Sequence, residues 1–314
     1  MAGYIGRRLL AIPPLLLIIS IVVFGLIELI PGDQARTIAG MNAPQSTVNK
    51  ISAQLGLNKP AVVQYWNWLV RALHGNLGHS LFQNSSVSTT IGQRFPVTLS
   101  MAVGGLVVIL LIGVPAGILA GTHPGSIIDR ILTIGSSAAI AIPDFWLAMV
   151  LIVLFAVKLH ALPAIGYVGI TQSSVQWATH LYLPWVALGL AGGATLARQL
   201  RSSMVDVLDQ EYIRTAEAKG LKRRRVVLKH ALKNAGLVPM TIVGLQFAYL
   251  LGGTIILEQI FSIEGLGNYF ESALLDKDIP VIQGVILVYA VTFVALNLVV
   301  DILYGVINPR VRFE

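Results

Sequence analysis

The chain has 314 residues, 55% of them hydrophobic and only 12% charged, with a net charge of +7 and no cysteine. A soluble domain of this length would carry about twice that charge. The absent thiols exclude disulfides, thiolate metal sites and cysteine nucleophiles together.

The apolar residues gather in runs of about 18 or more, long enough to cross about 30 Å of hydrocarbon as helices. No series of short alternating strands is present, which argues against a membrane barrel. The expected class is an all-α polytopic membrane protein with six spans. The first, about Leu9–Ile30, follows Arg7-Arg8 and ends in Ile30-Pro31-Gly32-Asp33. A cleaved signal would have a shorter apolar core and a small-x-small site close behind it, so this run reads as a retained anchor. The other spans are Thr98–Gly121, Ile131–Val157, Leu181–Ala197, Leu237–Leu257 and Pro280–Val306.

Lys and Arg set the expected orientation. With the N-terminus inside, inner segments hold 15 of the 22 basic residues and outer segments hold 7. Five of those seven lie in one long loop, where the rule has little force. Short loops and tails give 15 to 2, which favours cytoplasmic termini. The expected organisation is 1–30 (N-terminal segment and first span), 31–97 (external loop), 98–306 (transmembrane core, with a cytoplasmic loop at 199–236) and 307–314 (cytoplasmic tail).

Loop 31–97 has helical spacing at Ser46–Leu55 and Val62–Leu73, punctuated by Asn58-Lys59-Pro60 and His74-Gly75-Asn76. Trp66 and Trp68 are candidates for the headgroup level. The loop is either a cap on the bundle or a docking surface for an external partner.

Eight basic residues fall in 211–239, "EYIRTAEAKGLKRRRVVLKHALKNAGLVP". The pattern is helix, turn, helix. The first helix covers about Glu211–Lys219, with Tyr212, Ile213 and Ala216 on one side. Gly220 is placed to close it with a left-handed turn. The second runs about Lys222–Ala235, with Leu228, Ala231, Leu232 and Ala235 as its apolar stripe. Three readings compete for the segment. It is a solvated basic loop touching anionic membrane lipid, a nucleic-acid site, or a docking element for a cytoplasmic partner. No aromatic residues interleave with the charges, which argues against nucleic acid.

These residues resemble the EAA loop of permease subunits of ATP-binding-cassette importers. "LIELIPGD" (26–33), "LGLNKPAVVQYWNWL" (55–69), "HGNLGHS" (74–80), "GLGNYFESALLDKDIPVIQG" (265–284) and "NLVVDILYGVINPRVR" (297–312) look like the dipeptide/oligopeptide branch. The resemblance spans nearly the whole chain. It implies the type I importer permease fold and a half-channel in a prokaryotic cytoplasmic membrane. It also implies three partners: a second homologous permease, cytoplasmic ATPase subunits and an external peptide-binding protein. ATP and Mg would belong to the ATPases, with no cofactor or metal in this chain. By the same resemblance, Thr215, Ala216, Glu217, Ala218, Lys219, Gly220 and Leu221 form the coupling helix. Anchored on Gly220, the motif's Glu-Ala-Ala falls on Arg214-Thr215-Ala216, so only its last alanine and its glycine are kept. Glu217 is therefore not the motif's glutamate. The form Arg-Thr-Ala-x-Ala-Lys-Gly resembles the peptide branch. Nickel, glutathione and other small solutes are alternative cargo within the family.

The chain has no Gly-Lys dipeptide, so it lacks the phosphate-cradling loop of common nucleotide sites. Its six histidines show no helical pair at metal spacing. In the spans, Asp144 follows Pro143 and is either a pathway residue or a kink-associated carboxylate paired in the bundle. Glu28, Glu258 and Asp301 are expected near span ends, in interfacial roles. Gly192-Gly193 and Gly252-Gly253-Thr254 suit close helix packing or the lining of a path. A self-contained secondary transporter or channel is the rival class, but no clear internal repeat or intramembrane relay supports it. A membrane-anchored scaffold is a third possibility.

Overall fold

The computed structural model describes residues 2–28, 34–40 and 42–307. In chain order the helices are α1 (Ala2–Glu28), α2 (Gln34–Ala39), α3 (Gln45–Leu55), α4 (Ala61–Leu73), α5 (Val87–Thr122), α6 (Ile127–Ala141) and α7 (Asp144–Leu151). They continue with α8 (Ser174–Leu208), α9 (Glu211–Ala218), α10 (Arg223–Arg225), α11 (Leu232–Ala235), α12 (Leu237–Ile260), α13 (Leu266–Asp276) and α14 (Ile279–Ile307). Two π-helical turns join this series, Ile152–Lys158 after α7 and Val226–Ala231 after α10. The residues Pro31-Gly32-Asp33 and 308–314 lie outside the described residues.

Among the described residues, four stretches are long and apolar enough to cross a membrane: Arg8–Gly25, Val87–Thr122, Ile242–Ile260 and Ile279–Val300. A fifth candidate is the pair Ile127–Ala141 and Asp144–Lys158, bent by 99°. The span expected over Ile131–Val157 is thus broken at Ile142-Pro143, the kink weighed beside Asp144. Proline has no N–H to continue the helix and pushes the residue before it out of the helical region. Ile142 accordingly takes φ −84°, ψ 122°, and a new helix starts after Pro143. The remaining expected span lies in α8, which has 35 residues and its own internal Pro184.

The chain forms two compact units. One comprises 97–264 with the chain ends 1–4 and 296–314. Its packing rests on small residues. Gly113, Gly117 and Gly121 repeat every fourth position and so share one face of α5. A methyl group added to Gly117 would stand 2.7 Å from Leu200 Cβ, and one on Gly121 2.6 Å from Met204 Cβ, both on α8. Gly192 answers from α8, where an added methyl would meet Ile109 Cδ1 at 2.6 Å. Absent side chains let the two backbones approach, as van der Waals packing between membrane helices requires. Higher on the same pair, Trp185 Nε1 donates to Ser100 O at 3.0 Å.

The other unit comprises 5–96 and 265–295. Its core joins Val87, Ile91, Leu266, Tyr269, Ile279, Ile282 and Val285. Asp278, 3% exposed, binds the segment before α5: Ser80 Oγ donates to its carboxylate at 2.6 Å and Leu81 N at 3.1 Å. Helices α3 and α4 correspond to the two helical stretches expected in 31–97. Trp66 is 63% exposed, whereas Trp68 is 6% exposed and packs with Phe24 and Tyr65. Trp68 is therefore a core residue of this unit.

Candidate functional site

The helix-turn-helix expected between the fourth and fifth spans is present. It is carried by α8, which runs unbroken from Ser174 to Leu208 before the chain turns into α9. Glu211 lies in the first turn of α9, where a carboxylate complements the helix dipole. At the other end Gly220 has φ +76°. Gly220 N donates to Glu217 O at 2.9 Å and Leu221 N to Ala216 O at 3.3 Å. These are the paired bonds of a glycine-closed helix end, and Leu221 follows by packing back onto the core beneath.

That core joins Leu200 and Met204 of α8 with Ile213, Ala216, Val226, Val227, Ala231 and Ala235. Each fully buried valine or leucine of this kind stabilises by about 1.5–3 kcal/mol. The loop is thus a packed platform. Tyr212 does not share the buried side with Ile213 and Ala216. It is exposed, and its hydroxyl accepts from Asn234 Nδ2 at 2.9 Å.

The expected stripe on the second helix is also corrected. Ala231 and Ala235 are buried and Leu232 is partly so, but Leu228 is 47% exposed, and Val226 and Val227 point inward. A π-helical turn advances about 4.4 residues per turn, since its bonds run i to i+5. The wider turn over Val226–Ala231 shifts the inward face relative to a regular helix.

The seven coupling candidates divide accordingly. Ala216 and Leu221 face the platform, and Gly220 forms the turn. Thr215, Glu217, Ala218 and Lys219 are exposed. Glu217 has a structural partner in Arg223, which ties α9 to α10 across the turn.

Sequence reading passed over one carboxylate beside this platform. Asp129, 3% exposed, lies in the first turn of α6 and forms a two-pronged ion pair with Arg201 of α8. Gly125 N also donates to it at 2.8 Å, and Thr133 Oγ1 at 3.3 Å. The buried carboxylate holds Arg201 firmly protonated. An acidic residue at a span end, opposite the arginines of 198–201, was the available signal.

The path candidates fare unequally. Thr254 is fully buried, and its hydroxyl bonds to Leu251 O at 2.8 Å. Gly253 lies against Leu188. Gly252 is open, with nothing within 4 Å of an added methyl. Asp144 begins α7, half-buried, and interacts with the Tyr249 hydroxyl of α12. Tyr249 and Gly252 are three apart and share a helix face, so Asp144, Tyr249 and Gly252 line one accessible strip. Thr254 does not belong to it. Glu258, near the end of the stretch Ile242–Ile260, is fully buried in the bundle and accepts from Thr98 Oγ1 at 2.6 Å. The side chains of Glu28 and Asp301 lie outside what is described.

A polytopic helical bundle with a helix-turn-helix platform between two spans defines a membrane transport subunit in general terms. Comparison with known proteins gives the family. The binding-protein-dependent transport system inner membrane component matches residues 113–313, and the N-terminal component of the same systems matches 1–102. The chain belongs to this family and is an importer permease of the peptide branch. It is 39% identical over 314 residues to a putative peptide transport system permease protein of Brucella abortus, covering all of both chains. It is 40% identical over 314 residues to the glutathione transport system permease GsiC of Escherichia coli, again covering all of both. Among solved structures, the MetNI methionine ABC transporter shares the fold, with a TM-score of 0.54 at 19% identity over 69% of this chain and 96% of that one.

Proposed function

We propose that this chain forms half of the channel of an ATP-driven importer of dipeptides and oligopeptides and transmits ATPase motion through α9. One observation carries the reading: α9 projects a polar outer face while its inner face and closing turn are fixed to a packed base continuous with α8. An element so built moves as a unit with the span behind it. Relatives named for peptide and glutathione transport support a peptide-like cargo.

In this reading both termini and 199–236 are cytoplasmic, 31–97 is external, and the membrane is the inner membrane of a prokaryote. A second permease chain completes the channel and an external peptide-binding protein delivers cargo. ATP and Mg belong to separate ATPase subunits. Thr215, Glu217, Ala218 and Lys219 meet the ATPase, while Ala216, Gly220 and Leu221 keep α9 in position. Six spans follow if the bent pair counts as one and α8 as another. Asp144, Tyr249 and Gly252 face the path.

Reconstitution tests the assignment. Peptide uptake into proteoliposomes is expected to require this chain, its partner permease, the ATPases, ATP and the binding protein. Uptake driven by this chain alone would overturn it.

A further inference from the structure

The unit formed by 5–96 and 265–295 contains a cleft of about 810 Å³, enclosed by α4, the segment 76–81 and the start of α14. That volume falls in the range of small-molecule sites. Lys59, Arg71 and His79 line it, and the nearest carboxylate, that of Asp278, lies behind the wall, held by Ser80 Oγ and Leu81 N. None of these three forms an ion pair among the described residues. Arg71 is oriented by its Nε, which donates to Asn67 O at 3.2 Å and leaves the outer guanidinium nitrogens uncommitted. The wall carrying Lys59 is fixed as well, since Gln64 Nε2 donates to Leu57 O at 3.2 Å and to Lys59 O at 2.9 Å.

Gln283 lies on α14 against the same cleft and is only 8% exposed, yet its carboxamide makes no hydrogen bond with the described residues. Its amide is reachable from the cleft, so its N–H group is available to an acceptor there. An amide donor, a lysine and an arginine around one cavity suit a carboxylate, which accepts at both oxygens and which a guanidinium grips with two parallel bonds.

We propose that this cleft is a peptide-binding subsite that receives the C-terminal carboxylate of the cargo, with Arg71 and Lys59 as its charge partners and Gln283 as its buried donor. Every linear peptide carries that group whatever its sequence, so the subsite recognises the class without selecting side chains. Trp66 borders the cleft as an exposed apolar wall for the preceding residue. The inference rests on the peptide-importer reading for the identity of the cargo.

The test uses the full-length chain in lipid nanodiscs, titrated with Ala-Ala-Ala and with its C-terminal amide, followed by calorimetry and tryptophan fluorescence. The free acid is expected to bind at least about tenfold tighter than the amide. Arg71→Gln and Gln283→Leu should each weaken the acid about tenfold and leave the amide unchanged, and Arg71→Lys should recover part of the loss. Gln283→Glu, nearly isosteric, should abolish the preference by placing an anion in the cavity. Equal binding of acid and amide overturns the proposal, as does a preference that survives these substitutions. So does a cleft whose variants lose only the external binding protein, since its occupant is then an acidic protein surface. If the assembled importer transports peptide while the acid and amide bind alike, the subsite falls and the importer assignment stands. If no peptide is imported but the acid preference tracks Arg71 and Gln283, the reverse holds.

Discussion

The Asp129 carboxylate of α6 grips the Arg201 guanidinium of α8 with both oxygens, one of the bonds measuring 2.7 Å. Arg201 lies one residue after Leu200, which is part of the core under α9. The first half of the bent helix pair is thereby fastened to the helix that carries the α9 platform. Removing one partner of a buried pair leaves an uncompensated charge and costs about 3–5 kcal/mol. Arg201 retains 32% of its side-chain exposure, which places Asp129→Ala at the lower end of that range. Thermal unfolding in detergent should register the loss. The double variant Asp129→Leu/Arg201→Met should recover more than half of it, because well-packed apolar pairs replace buried ion pairs at little cost.

Gly220 offers a cleaner experiment. Nothing lies within 4 Å of a methyl group added there, so a substitution meets only the backbone penalty of φ +76°. That penalty is about 1–2 kcal/mol for an ordinary L residue, and a β-branched residue is a pronounced outlier in the region. Asparagine tolerates it best. Gly220→Asn is expected to import peptide nearly as the parent does and Gly220→Ala somewhat less. Gly220→Val should insert in the membrane and assemble while ATP hydrolysis proceeds without uptake. Parallel ATPase and uptake assays on the reconstituted importer decide the matter, and normal uptake by Gly220→Val would refute it.

Helix existence was legible because long apolar runs have only one use in a bilayer. The turn at Gly220 was legible because glycine after a helical stretch has one common backbone solution. Facing was less so. Trp68 and Glu258 each carry a polar group and lie near a loop or a span end, which suggested an interface. Both are buried because tertiary neighbours enclose them: Phe24 and Tyr65 around Trp68, and Thr98 against Glu258. The bend at Ile142 and Pro143 was available from the pre-proline rule but was masked by continuous hydrophobicity on both sides. The inward face of the second loop helix was not legible, since a regular period cannot anticipate a π-turn.

The π-turn makes a prediction of opposite sign to the regular helical pattern. A regular stripe puts Leu228 in the core. In the structure Val227 is buried and Leu228 is exposed. Val227→Asp is expected to lower stability by several kcal/mol, the cost of placing a carboxylate among apolar groups. Leu228→Asp should stay within about 0.5 kcal/mol, as surface changes do. Limited proteolysis between Arg214 and Lys233 reads both. Protection should be lost in the first variant and kept in the second.

The glycine ladder on α5 separates packing from propensity. At Gly117 an added methyl would lie 2.7 Å from Leu200 Cβ and 2.9 Å from Ala197 O, and one of these contacts is backbone that cannot swing away. At Gly135, in α6, nothing lies within 4 Å. Alanine favours a helix over glycine by about 0.5–1 kcal/mol at an open position. Overpacking a close helix pair costs about 1–3 kcal/mol. Gly117→Ala should therefore lower the unfolding temperature, whereas Gly135→Ala should leave it unchanged or raise it. If both variants move in the same direction, α5 and α8 do not pack through Gly117, and the close approach described for that pair is wrong.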